Sequence, residues 1–174
     1  MINKLEPNVV IIDDVKEEIQ GIIDDLSKNG VGCKLFNPDY TEGDSMPLKT
    51  YSDVNIVFLD LFYSGKFDAD QSCNWVRSII PINTFYLIVF WTKDQSKAEE
   101  VLDLLREKEI PPFKVFVESK SDYFAEGVYN FKSLLSKIEE ECDKSPALDE
   151  IITWKKALKL TANEVIGHLI KNIE

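Results

Sequence analysis

Short apolar runs recur along the chain, and most of them end on a charged or hydroxyl side chain. Val9 to Ile12 (VVII) ends on Asp13 and Asp14, Val54 to Leu59 (VNIVFL) on Asp60, and Phe85 to Trp91 (FYLIVFW) on Thr92-Lys93-Asp94. Unbroken, β-branched runs of this length suit parallel strands buried on both faces. Val31 to Phe36 reads as a more polar strand, and Phe113 to Val117, after Pro111-Pro112, as a fifth that closes at Glu118-Ser119-Lys120. Between the runs the period changes. Val15, Ile19, Ile22, Ile23 and Leu26 recur at three and four, as do Ala98, Val101, Leu102 and Leu105, and then Phe124, Val128, Phe131, Leu135 and Ile138. Each set predicts an amphipathic helix, and a further helix is expected over Asp70 to Ile80, stopped by Pro81. The stretch from Asn37 to Asp53, rich in Pro, Asp, Gly and Ser, predicts a loop with at most a short helix.

This alternation predicts an α/β domain, a doubly wound five-stranded parallel sheet with helices on both faces, over residues 1–143. Lys144-Ser145-Pro146 marks a break, and residues 144–174 form a C-terminal helical extension, with one helix from Leu148 to Ile173. Along that helix Trp154, Leu158, Ala162, Val165, Leu169 and Ile173 form an apolar stripe, which suits packing on the domain or a homodimer contact. His168 reads as an ordinary helix-surface residue, since one helix cannot supply the bundle that presents a phosphotransfer histidine.

Composition narrows the function classes. The chain has 174 residues, 44% apolar and 29% charged, which is a globular balance. A net charge of -11 without a clustered basic face argues against nucleic-acid binding. No apolar run reaches the length of a membrane span, and the opening MINKLEPN carries no secretory core, so a cytoplasmic protein without membrane attachment is expected. Cys33, Cys73 and Cys142 are widely separated and form no CxxC pair, so they read as reduced thiols.

In an open α/β sheet, ligands bind beyond the carboxyl ends of the strands, where strand order reverses. Asp13, Asp14, Asp60, Thr92 and Lys120 would converge there. Three clustered carboxylates repel one another, and a hard divalent cation such as Mg2+ relieves them through oxygen ligands. Asp60 would then be the nucleophile in phosphoryl transfer, Lys120 would contribute a mobile positive charge, and the Thr92 hydroxyl could bond a phosphoryl oxygen.

These residues, in this order, resemble the receiver domain of bacterial response regulators: Ile11-Ile12-Asp13-Asp14, Val57-Phe58-Leu59-Asp60, Phe90-Trp91-Thr92, and a lysine after the fifth strand. The resemblance implies the flavodoxin-like receiver topology, Mg2+ held by Asp13, Asp14 and Asp60, and phosphorylation of Asp60 by a histidine kinase or phosphotransfer protein. It also implies that Thr92 and Lys120 couple the phosphoryl group to a downstream protein effector. The chain is similar, more narrowly, to the divergent receivers of bacterial conflict systems. It departs from the family in carrying Ser121 rather than proline after Lys120, Val117 where the switch aromatic is expected, and Lys93 where a small residue is usual. Lys114 is the alternative lysine, placed inside the strand. Two other readings compete with the phosphoacceptor: a pseudo-receiver acting as a binding scaffold, and an aspartate-nucleophile phosphatase of the haloacid dehalogenase type. The latter places a second aspartate two residues after its nucleophile, where this chain has Phe62.

Overall fold

The computed structural model describes residues 6–171; Met1 to Leu5 and Ile173, used above, lie outside them. The chain divides into two compact units, the first ending at Phe131 and the second beginning at Lys132. The division falls within the helix that precedes Lys144-Ser145-Pro146, after its first residue.

The first unit is α/β. Its strands are β1 (Val9–Ile12), β2 (Cys33–Phe36), β3 (Ile56–Leu59), β6 (Leu87–Thr92) and β7 (Lys114–Ser119), separated by two short hairpin strands, β4 (Phe62–Tyr63) and β5 (Lys66–Phe67). The five longer strands form one all-parallel sheet in the order β2-β1-β3-β6-β7. This is a flavodoxin-like order, with its reversal point between β1 and β3. Expected and observed strands coincide within one or two residues; β6 starts at Leu87 and extends through Thr92.

Both faces of the sheet are covered. Val10, Ile12, Val57, Leu59, Ile88 and Phe90 point into one core with Trp75, Val76 and Ile79 of α2 (Ala69–Ile79) and Val101, Leu102 and Leu105 of α3 (Ala98–Glu107). The alternate residues Val9, Ile11, Phe58, Val89 and Trp91 are also buried, as a strand covered on both sides requires. On that second face Phe131 packs at a tilt against Trp91 and seats its ring against Gly21 of α1 (Lys16–Lys28), where a Cβ would collide with the ring. α2 begins at a capped end, the Asp68 carboxylate accepting from the Gln71 N–H at 2.9 Å. No helix forms between β2 and β3. There Asp39 organises the loop by accepting the backbone N–H groups of Thr41 and Glu42 at 2.7 and 2.8 Å.

One expected helix start is corrected. The spacing of Phe124, Val128 and Phe131 predicts a helix, but Phe124–Ala125 (β8) and Val128–Tyr129 (β9) form an antiparallel hairpin, and α4 begins only at Phe131 and runs to Asp143. Glu126 and Gly127 both have positive φ, 53° and 84°, the geometry of a two-residue hairpin turn whose twist matches its strands. Phe124 and Tyr129 are therefore cross-strand partners with ring centroids 4.8 Å apart, not neighbours on a helix face. Ser64 and Gly65, with φ of 50° and 76°, turn the β4–β5 hairpin in the same way.

The second unit contains most of α4 and all of α5 (Pro146–Lys171), a 26-residue helix. At about 1.5 Å per residue it is roughly 39 Å long. Its residues from Lys156 onward are exposed, Trp154, Leu158, Val165, Leu169 and His168 among the exposed positions. Among the described residues no helix is long and apolar enough to cross a membrane. Among the described residues Cys33, Cys73 and Cys142 form no disulfide.

Candidate functional site

Sheet hydrogen bonds run up to the aspartates. The Asp60 N–H donates to the Ile12 carbonyl at 2.9 Å and the Asp13 N–H to that of Phe36 at 3.1 Å, so both side chains leave the sheet at its reversal point. Carboxylate oxygens of Asp13, Asp14 and Asp60 lie within 4.8 Å of one another. Octahedral Mg2+, with bonds near 2.1 Å, holds its oxygens roughly 3 to 4 Å apart, a spacing near that of this trio. The all-oxygen donor set also suits a hard cation.

Neither member of the Asp13-Asp14 pair serves as a helix cap. Val15 occupies the N-cap of α1 without a side-chain bond. Asp13 Oδ1 instead accepts from the Val15 N–H at 2.8 Å, and Asp14 Oδ2 accepts from the Ser64 N–H at the β4–β5 turn at 2.6 Å. The Ser64 hydroxyl in turn donates to Asp39, linking the acidic cluster to the loop after β2.

Lys120 joins them from the end of β7. It opens a 3₁₀ turn (Lys120–Tyr123) just beyond β7, tied back to that strand by the Tyr123 hydroxyl donating to Glu118 at 2.6 Å. Its Nζ donates to Asp13 Oδ2 and Asp60 Oδ2, both at 2.9 Å. Lys114 lies elsewhere, with its ammonium over the Phe116 ring, so the lysine of the pocket is Lys120. Asp60 Oδ1 accepts from the N–H groups of Leu61 at 2.6 Å and Phe62 at 3.3 Å.

Burial dominates the electrostatics. It pushes the Asp13 carboxyl up to about 7, with the Lys120 charge pulling the other way and Asp60 adding repulsion. The Asp60 carboxyl is also raised, again by burial and against Lys120. Burial alone would lower Lys120, but the charges of Asp13 and Asp60 outweigh it and hold the ammonium above its ordinary range. Such a pocket favours any added positive charge.

An open cleft of about 360 Å³ leads to Asp60, lined by Asp14, Glu18, Phe62, Lys93, Lys120 and Tyr129 among others. Thr92 is not among its lining residues. The side chain is fully buried at the end of β6, and its hydroxyl accepts only a long bond, 3.4 Å, from the Asp94 N–H. The next residue takes the cleft position: Lys93 places its ammonium 4.3 Å from the centre of the Phe62 ring, a cation–π contact at the cleft wall.

Two pocket residues escaped the sequence reading. Glu18 donates no metal oxygen to the trio, yet its Oε2 accepts from Lys120 at 2.7 Å. Its place one helical turn after Asp14 is the signal that could have found it. Tyr129, which lines the cleft with Glu18, was hidden by the unrecognised hairpin.

No family model and no curated protein matches the chain. Among solved structures, a fusion carrying the yeast Spc42 trimeric coiled coil, amino acids 181–211, is similar at 16% identity, covering 94% of this chain and 99% of that one with a TM-score of 0.41. That likeness is too weak to carry an argument.

Proposed function

We propose that the protein is a phosphoacceptor receiver of a two-component phosphorelay, with Asp60 the phosphorylated residue. The observation that carries this reading is the meeting of Asp13, Asp14 and Asp60 within 4.8 Å at the sheet's reversal point, with Lys120 2.9 Å from Asp60. An open cleft beside Asp60 gives a phosphoryl donor access to it.

The chemistry follows from these groups. A carboxylate oxygen of Asp60 attacks phosphorus while the bond to the donor atom breaks, and the electron pair leaves with the donor, a histidine nitrogen of a kinase or phosphotransfer protein. Asp13, Asp14 and Asp60 would hold a Mg2+ ion, which when bound would supply neutralising charge to the transferred oxygens. Lys120 orients the Asp60 carboxylate and then attends the phosphoryl group. Lys93, at the cleft wall, adds a second positive charge near the incoming dianion. Readout passes through contact with a downstream protein.

The test uses acetyl phosphate with Mg2+. Wild type is expected to gain the mass of one phosphoryl group, and Asp60→Asn to gain none. A phosphorylation-independent binding scaffold is the second reading, favoured by the withdrawal of Thr92 from the cleft. Wild type that takes no phosphoryl group from any donor selects it.

A further inference from the structure

From Lys156 to Lys171 every residue of α5 is exposed. A helical stretch of this length is marginal in water by itself, because helices in proteins owe most of their stability to the packing of an apolar face. Such a face is present and uncovered. Trp154, Leu158, Val165, Ile166 and Leu169, with Ala162 between them, follow the three- and four-residue spacing of one helix side, and all five large side chains are more than half exposed. A large apolar side chain taken out of water removes on the order of 100 Å2. The five therefore offer roughly 500 Å2 per chain, and two chains about 1,000 Å2, the area a specific interface needs, before any polar rim is counted.

The stripe reads nearly the same from either end. Counted from position 160, Leu158 and Ala162 stand two residues away, Trp154 and Val165 six and five, and Ile151 and Leu169 nine. A second copy laid antiparallel about that position sets Leu158 against Ala162, Trp154 against Val165 and Ile151 against Leu169. Each contact then occurs twice, as a two-fold interface requires. The charges sort in the same sense. Asp149 and Glu150 lie in the first turn and Lys171 in the last, so antiparallel helices bring the acidic end of one level with the basic end of the other, and their dipoles oppose. A parallel pair would put the two acidic turns side by side. An anionic bilayer fits less well, because α5 carries four lysines against three carboxylates and lacks a strongly basic polar face.

We propose that α5 pairs antiparallel with α5 of a second copy of this chain, centred on position 160. The apolar stripe supplies the affinity, and the charged ends set the orientation. No residue of the acidic pocket takes part, so the pairing stands whatever the chemistry of Asp60. A dimer formed in this way carries two copies of the Asp60 cleft.

Sedimentation velocity of the full chain over a range of concentrations tests it. Wild type is expected to reach the mass of two chains and to fall to one on dilution. Leu158→Glu is expected to stay at one chain throughout, with the urea midpoint of dilute wild type showing that it still folds. Orientation is read from two exposed charges. Glu150→Lys and Lys171→Glu should each associate several-fold more weakly than wild type, because each sets like charges together, and an equimolar mixture of the two should recover association near the wild-type level. A wild type that is monomeric at every concentration overturns the pairing, and if that monomer sediments with phosphatidylserine vesicles the face belongs to a membrane. Dimers of Leu158→Glu as strong as those of wild type overturn the choice of face. Single charge variants that associate as wild type does, or a mixture no stronger than its components, overturn the antiparallel arrangement.

Discussion

The carboxyl-terminal rim of the sheet buries charge, whereas α5 exposes apolar surface. Both depart from the usual sorting of side chains, and such departures carry more information than a buried leucine or an exposed lysine. They differ in how their residues depend on one another. Asp13, Asp60 and Lys120 are each tolerable in the interior only because the others are there. The exposed side chains of α5 carry no such mutual requirement, since an apolar group in water costs little when its neighbour is removed. The rim is a set that stands or falls together; α5 is a row of separable positions.

The largest expected effect comes from breaking the rim. Lys120→Met leaves two buried carboxylates without their counter-charge and should cost about 3–5 kcal/mol, read as a lower midpoint in urea unfolding of the metal-free protein. Added Mg2+ should recover part of it, because the cation takes over the neutralising role. No loss on substitution would show that the buried charges are not mutually dependent.

The two tryptophans sharpen the contrast. Trp75 is 1% exposed and Trp154 75%. Trp75→Ala should cost about 3–5 kcal/mol through lost burial and a cavity beside Phe36, whose ring lies 5.5 Å away. Trp154→Ala, measured on dilute monomer, should stay within about 0.5 kcal/mol. Comparable losses in the two variants would mean that Trp154 is covered within its own chain.

The subtlest test is the pH dependence of the rim. Burial raises Asp13 from 3.8 to about 7, so over that range the folded chain holds a proton that the unfolded chain releases. This contribution to stability is fully present below about pH 4 and is lost as pH rises through about 7. Relative to Asp13→Asn, metal-free wild type should therefore lose on the order of a few kcal/mol across the window, measured by chemical unfolding at each pH. Mg2+ should flatten the slope by favouring the carboxylate. A difference that does not change with pH would contradict the raised Asp13.

The expected sheet was legible because each buried strand writes an uninterrupted apolar run, and because Asp13, Asp14 and Asp60 stand where those runs stop. The same logic located Lys120 after β7. It failed at the β4–β5 and β8–β9 hairpins, whose strands have two residues each and turn on Ser64-Gly65 and Glu126-Gly127. Elements that short leave no period to count, and the spacing of Phe124, Val128 and Phe131 imitated a helix. Tyr129 was lost with the hairpin. The convergence of Glu18 on Lys120 depends on a separation of 102 positions that no local pattern records.

Asp13 and Lys120 are 107 positions apart, yet they share a proton donor–acceptor pair at the heart of the pocket. During synthesis the three aspartates emerge long before their lysine. A nascent chain that has not passed β7 therefore owns the acidic groups but not the counter-charge that lets them sit together indoors. Assembly of the pocket is thus a report on how far the first unit has been made: a chain interrupted before Lys120 should hold its aspartates apart, however well its earlier strands have formed.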